Sequence, residues 1–290
     1  MVSAPFDYLA ANTFAEASAA LSEFGEGSVI LAGGQSLVPM LNLRLVQPSN
    51  VIDINRVPVG APVVSDGQLE LSALTRHAQI LADPVVAGAA PLLVDAVGHV
   101  GNVRVRNRGT IGGSMAHADP TSEIGAAALC LDGSVVLTST TGSRTVPVDD
   151  FFVSYLTTSI APGELLTELH LPVLNGRSGT SFLEMVRRTS DFAIVAVAAV
   201  VELEADARTV RRARVALSGV ADRPMLAEAS LTGELIGKEL PYDQLRALGA
   251  EVATRFEPPD DVHASAAYRR RLIEVLTARA LHQAIDRARS

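Results

Sequence analysis

Two glycine-rich turns constrain this chain more than any other feature. The first, Ala32-Gly33-Gly34-Gln35-Ser36-Leu37, follows directly on the apolar run Val29-Ile30-Leu31, which reads as a short buried strand. Adjacent glycines let the backbone reverse sharply and bring its N–H groups close to an anion, and Ser36 adds a hydroxyl donor. A diphosphate suits such a turn, although a plain strand-to-helix reversal would use the same residues. The turn lacks the Gly-Lys-Ser/Thr ending of a Walker A loop and does not fit Gly-x-Gly-x-x-Gly. Val38 stands where a nucleophile elbow around Ser36 would need its last glycine. ATP hydrolysis, a Rossmann site and a serine hydrolase all lose ground.

The second turn is Arg106-Asn107-Arg108-Gly109-Thr110-Ile111-Gly112-Gly113-Ser114, followed by Met115-Ala116-His117-Ala118-Asp119-Pro120. Small residues and a hydroxyl again sit where backbone amides can wrap an anion. A helix is predicted to open here, with Asp119 as its cap, Pro120 at its first position and Glu123 in its first turn, and to end near Asp132-Gly133. The competing reading is a buried glycine-rich crossover with Arg104, Arg106 and Arg108 merely solvated.

Around these turns the pattern alternates. Residues 13–24 carry Phe14, Ala17, Leu21 and Phe24 at helical spacing, and a second β-like run covers 50–54, so the first ~55 residues read as a small α/β unit. A strand at 69–74 precedes helices at 76–82 and 85–97, with Pro84 opening the latter. Strands are predicted at 134–138, 165–171, 180–188, 193–203 and 210–218. Beyond Leu226 the pattern turns helical and ends in a long stretch from 264 to 289. The loop at 173–179, with Asn175-Gly176 at its centre, is the best domain boundary.

Composition removes several classes. With 48% hydrophobic and 19% charged residues the chain folds rather than staying disordered, and a net charge of −8 with 4% aromatics argues against nucleic-acid binding. The apolar run at 193–201 is too short to span a bilayer, and the N-terminal residues lack a leader pattern, so a cytoplasmic protein is expected. Cys130 is the single cysteine, which rules out an internal disulfide and a four-cysteine iron–sulfur cluster held by this chain alone. Histidines 77, 99, 117, 170, 263 and 282 show no paired ligand spacing, and no metal site or catalytic acid–base pair is expected. Arg269-Arg270-Arg271 reads either as a partner surface or as a solvated helix face.

Taken together, Ala-Gly-Gly-Gln-Ser at 32–36, Thr-Ile-Gly-Gly-Ser at 110–114 and Ala-Asp-Pro at 118–120 resemble the FAD-binding medium subunit of the molybdenum hydroxylases. That family includes carbon monoxide dehydrogenase and the flavin domain of xanthine dehydrogenase. The likeness runs on through Arg187-Arg188-Thr189-Ser190-Asp191-Phe192-Ala193 and Tyr268-Arg269-Arg270-Arg271. It implies an α+β architecture: a two-subdomain FAD-binding fold of the vanillyl-alcohol-oxidase/PCMH type over residues 1–57 and 58–175, then a C-terminal domain of antiparallel strands and helices over 176–290.

By the same resemblance, Ala32, Gly33, Gly34, Gln35 and Ser36, with Leu37 beside them, cradle the FAD diphosphate. Thr110, Ile111, Gly112, Gly113 and Ser114 close the pocket, His117 lines it, and Asp119 holds the ribose or adenosine side. Leu165-Leu166 and Asp191-Phe192 lie near the isoalloxazine ring. Gln35 occupies the place where many flavoproteins of this fold carry a covalently attached histidine, so the FAD is non-covalent. Molybdopterin and [2Fe-2S] clusters belong to large and small partner subunits, in a heterotrimer that is itself doubled. A lysine often found shortly before the Arg-Arg pair is absent, with Leu183-Glu184 in its neighbourhood. A self-sufficient flavin dehydrogenase or oxidase, and a scaffold that has lost its cofactor, are the alternatives.

Overall fold

The computed structural model describes residues 3–290, so Met1 and Val2 of the first expected subdomain lie outside the described residues. The chain begins with β1 (Asp7–Ala10), α1 (Phe14–Phe24), β2 (Ser28–Leu31), α2 (Leu37–Asn42) and β3 (Asn50–Asp53). All three strands are parallel, in the order β1-β3-β2. The Thr13 hydroxyl accepts the Glu16 amide at 3.0 Å to start α1, and Gly25 ends it at φ 62°. The glycine turn leaves the carboxyl end of β2, where open α/β sheets place their ligands. Strand β1 escaped the sequence reading because three of its four positions are exposed.

The next unit contains β4 (Val63–Ser65), β5 (Gln68–Ser72), α3 (His77–Ala82), α4 (Pro84–Ala89), α5 (Pro91–His99), α6 (Val103–Arg108), α7 (Ile111–His117) and α8 (Glu123–Cys130). It continues with β6 (Ser134–Ser139), β7 (Gly142–Pro147), α9 (Val148–Phe151), β8 (Phe152–Ser154), β9 (Thr157–Thr158) and β10 (Leu165–Pro172). An antiparallel sheet in the order β4-β5-β10-β6-β7 backs the helices. Three expectations need correction. The helix read at 85–97 is two, because Pro91 lacks an amide and holds Ala90 out of helical geometry. The helix after the second turn starts at Glu123 with Ser122, not Asp119, as its cap; Asp119 spends Oδ1 on Thr121 instead. The second glycine turn is itself helical, capped by Thr110.

The C-terminal unit comprises β11 (Ser178–Met185), β12 (Val195–Leu203), β13 (Val210–Ser218), β14 (Met225–Leu226), α10 (Ala229–Gly233), α11 (Tyr242–Thr254) and α12 (Ala266–Arg289). Its antiparallel sheet runs β11-β12-β13-β14. Every residue of β12 is buried, and its alternation divides two cores. Val195, Val197, Ala199 and Val201 face the helices of this unit, while Ala196, Ala198 and Val200 join the core built around α5 and α8. Gly179 lets α12 close on β11, since a Cβ there would lie 2.0 Å from the Ala284 carbonyl oxygen. Arg269 is neither a partner surface nor solvated. It is 4% exposed, donates to the carbonyls of Ile194 and Gly219, and pairs with Asp261 at 2.7 Å.

Candidate cofactor-binding site

A cleft of about 1170 Å³ crosses the molecule and draws its walls from all three units, exceeding the roughly 300–1,000 Å³ of ordinary small-molecule sites. It takes residues 32–37 from the first glycine turn; Thr110, Gly112, Gly113, Ser114, His117 and Asp119 from the second; Leu165 and Leu166 from the start of β10; and Asp191 and Phe192 from the loop between β11 and β12. Ile111 is not among the lining residues, because its side chain is fully buried in the core.

The two glycine turns touch. A Cβ on Gly33 would fall 2.3 Å from the Arg108 carbonyl oxygen and 2.8 Å from Gly109 Cα, so only glycine permits this approach. A polar strap holds it. Asn55 Nδ2 donates to the Ala32 carbonyl at 2.8 Å, Arg76 donates to Asn55 Oδ1 at 2.6 Å, and the other arm of the same guanidinium donates to the Arg108 carbonyl. Gly112 closes similarly on Ala73, where a Cβ would sit 2.4 Å from Ala73 Cβ.

The turns differ in what they offer an anion. Among the described residues, no hydrogen bond is donated by the backbone N–H groups of residues 32–37, and all six residues line the cleft. Gly34, at φ 73°, turns the backbone between them. Amides left unpaired beside a cleft form a concave donor set for a negatively charged group. The second turn has no such set: Ile111 N donates to Thr75 O, Gly112 N to Ala73 O, Gly113 N to Thr110 Oγ1 and Ser114 N to Thr110 O. Its amides do not wrap an anion, contrary to the sequence reading. Its glycines serve close packing and give the cleft a smooth backbone wall.

Two titratable groups that line the cleft, His77 and Glu123, were not read as site residues from the sequence. His77, at the start of α3, is 2% exposed, accepts or donates a 3.2 Å hydrogen bond with Ser114 Oγ, and leaves Nδ1 without a partner. Burial depresses its pKa to about 4, with Arg106 and Arg76 adding repulsion, so it is neutral at pH 7. Glu123, 9% exposed, is pushed up to about 7 by burial and by the nearby charges of Glu184 and Asp119. Glu184 meets His99 Nδ1 at 3.0 Å, a hydrogen bond that raises the imidazole pKa. In sequence Glu123 looked like an ordinary acid in a helical first turn, and only the packing of α5, α8 and β11 buries it. Among the described residues no cluster of His, Cys, Asp and Glu side chains is placed to hold a metal ion. Nor is any helix long and apolar enough to cross a membrane.

Free amides above a two-subdomain cleft, with an antiparallel sheet domain closing its far end, define a dinucleotide-type flavin-binding fold. The family described as the FAD binding domain in molybdopterin dehydrogenase matches residues 4–174, and the CO dehydrogenase flavoprotein C-terminal domain matches residues 180–284. The chain therefore belongs to the FAD-binding medium subunits of the molybdenum hydroxylases. It is 38% identical over 285 residues to 6-hydroxypseudooxynicotine dehydrogenase complex subunit alpha of Paenarthrobacter nicotinovorans, covering 98% of this chain and 96% of that one. It is 36% identical to the glyceraldehyde dehydrogenase medium chain of Sulfolobus acidocaldarius, covering 96% and 98%. Its fold superposes on carbon monoxide dehydrogenase from Hydrogenophaga pseudoflava with a TM-score of 0.94, at 33% identity and 99% coverage of both chains.

Proposed function

We propose that this chain is the electron-relaying flavin subunit of a molybdenum hydroxylase complex. One observation carries the reading: residues 32–37, whose backbone amides are unpaired, line a cleft of about 1170 Å³. When bound, FAD supplies the redox chemistry that joins the single-electron centres of one partner to an external acceptor. The chain's own residues bind and orient. The 32–37 amides and the Ser36 hydroxyl take the diphosphate. Asp119, whose Oδ2 accepts no hydrogen bond in the structure, takes ribose hydroxyls. Leu165, Leu166 and Phe192 keep water from the ring end. Gln35, tied to Gly33 O at 3.2 Å, offers no nucleophile, so attachment is non-covalent. The division into units at 1–57, 58–175 and 176–290 belongs to the same proposal, its second boundary supported by the break between the two family matches.

The relatives carry names for three unlike substrates, 6-hydroxypseudooxynicotine, glyceraldehyde and carbon monoxide, on chains that each match this one along nearly its whole length. Substrate choice then resides in a large molybdopterin subunit, and a small [2Fe-2S] subunit delivers the electrons, in a doubled heterotrimer that works in the cytoplasm. The test is to purify the chain alone and with its co-purifying partners. Alone, it should show flavin absorbance, release FAD into the filtrate on denaturation and turn over none of the complex's substrate. Robust turnover by the isolated chain would make it a self-sufficient flavin enzyme instead, and a colourless chain indifferent to FAD would make it a scaffold.

A further inference from the structure

We propose that His77 is a positioning residue for the flavin diphosphate: its imidazole donates from Nε2 to Ser114 Oγ and so frees the Ser114 hydroxyl proton for the cleft. The proposal rests on the reading that FAD occupies that cleft, and it assigns His77 a task that reading does not contain.

The ring is held where the two glycine turns meet. Gln79 Oε1 accepts the Arg76 amide at 2.8 Å, which fixes the start of α3 and makes His77 its first residue. The His77 amide then donates to Gly109 O at 3.1 Å. A Cβ on Gly109 would lie 2.8 Å from both Nδ1 and Cε1 of the ring, so this edge of the imidazole is pressed against glycine backbone. The other nitrogen, Nε2, meets Ser114 Oγ at 3.2 Å, and both residues line the cleft. Ser114 also stands beside the first turn. A Cβ on its neighbour Gly113 would fall 4.0 Å from Ala32 Cβ, and Ala32 opens the run of unpaired amides.

The direction of the His77–Ser114 hydrogen bond follows from the far nitrogen. Burial keeps the ring neutral, with a pKa of about 4, so one nitrogen carries a proton and the other a lone pair. Among the described residues Nδ1 is shielded from solvent and has no hydrogen-bond partner; the Thr110 backbone favours the charged ring but lies outside hydrogen-bond geometry with Nδ1. A proton on Nδ1 would be a buried N–H without an acceptor, the rarer of the two unpaired states in folded proteins. The proton therefore sits on Nε2, and Ser114 Oγ accepts it.

A hydroxyl oxygen engaged as an acceptor still has its own hydrogen to give. That hydrogen matters here because the amides of residues 111–114 are all paired. Thr110, the other hydroxyl of the turn, is buried and already accepts the Gly113 amide. In the opposite tautomer Ser114 would spend its hydrogen on Nε2 and turn lone pairs toward the diphosphate, which repel an anion. His77 thus adds no charge; it decides whether the second turn offers the diphosphate a donor or an acceptor.

FAD titration of the full chain by flavin fluorescence, with heteronuclear NMR of the imidazole nitrogens, tests this. In the wild type the His77 ring, assigned by its loss in His77→Met, should show a protonated Nε2 and a bare Nδ1. A protonated Nδ1 would overturn the proposal whatever the variants do. Ser114→Ala should weaken FAD about tenfold, the loss of one hydrogen bond to a charged group. His77→Met should weaken it severalfold in the wild-type background and not at all alongside Ser114→Ala, because the imidazole acts only through that hydroxyl. His77→Gln, which carries an amide donor near the Nε2 position, should recover most of the loss. A His77→Met loss that persists in full alongside Ser114→Ala would make the ring a packing group and overturn the proposal. Wild-type affinity in His77→Met, or equal losses in His77→Gln and His77→Met, would do the same. A wild-type chain that takes up no FAD would overturn this proposal and the underlying reading together.

Discussion

Gly33 is where one missing methyl group holds two units together. Its hypothetical Cβ would lie 2.3 Å from Arg108 O, against backbone that cannot swing aside as a side-chain tip would. Gly33→Ala must push the turns apart, at a stability cost of about 1–3 kcal/mol for overpacking. It should also weaken FAD at least tenfold, read by flavin fluorescence titration; unchanged affinity would show that the turns need not touch. Two other residues oppose each other in pH. His77 is depressed from 6.5 to about 4, so the unfolded chain binds the extra proton and stability is lost as pH falls through that window. Glu123 is raised from 4.5 to about 7, so the folded chain binds the extra proton and stability is lost as pH rises through that window. Each term is on the order of 3 kcal/mol at its limit, and between pH 4.5 and 6.5 the slopes cancel. Urea unfolding should be nearly flat with pH in that range for the wild type, rise with pH in Glu123→Gln and fall with pH in His77→Gln. Parallel curves for all three would show that neither group is perturbed.

At the scale of elements, the legible parts were those with local signals. Thr13 before a 3.6-residue apolar repeat, Gly25 after it, and the apolar run 29–31 placed α1, β2 and the first glycine turn. The apolar run at 193–201 marked β12, although its burial on both faces comes from α12 on one side and α5 and α8 on the other, which no local pattern encodes. Edge strands β4 and β7 expose almost every residue and carried no signal. Around the second turn, local residue types signalled a helix start at the wrong cap. Asp119-Pro120 imitates a helix start, but Ser122 accepts the Gly125 amide at 3.0 Å and so wins the cap. Thr110 caps α7 by accepting the Gly113 amide at 3.1 Å. Thr110→Val keeps the shape, removes that acceptor and frees one amide at the cleft wall. It should cost about 1 kcal/mol of stability in urea unfolding, while Ser36→Ala, which caps nothing, should lower FAD affinity with little change in stability. A Ser36→Ala protein that binds FAD normally would remove the hydroxyl from the cradle and leave it to the amides.

The molecule as a whole is built so that no unit owns the cleft. The first supplies free amides, the second supplies a packed backbone wall and the buried acid, and the third supplies Ser190, Asp191 and Phe192. Their cores interlock as well: α5 and α8 lie against β11, β12 and β13, and Arg269 ties the last helix to the carbonyls at Ile194 and Gly219 that flank the closing loop. A chain cut after residue 175 therefore loses the apolar cover of α5 and α8 as well as the loop, and a fragment with such a face associates rather than staying monomeric. Light scattering should find it aggregated, and it should bind FAD far more weakly than the full chain. The full chain at a hundred times its FAD dissociation constant should gain about 2.7 kcal/mol from ligand binding to the folded state alone. That gain should appear as one shifted unfolding transition reported equally by flavin fluorescence and by far-ultraviolet circular dichroism. If the flavin signal melts well before the circular dichroism, the cleft opens without global unfolding, and the units are joined less tightly than their shared core requires.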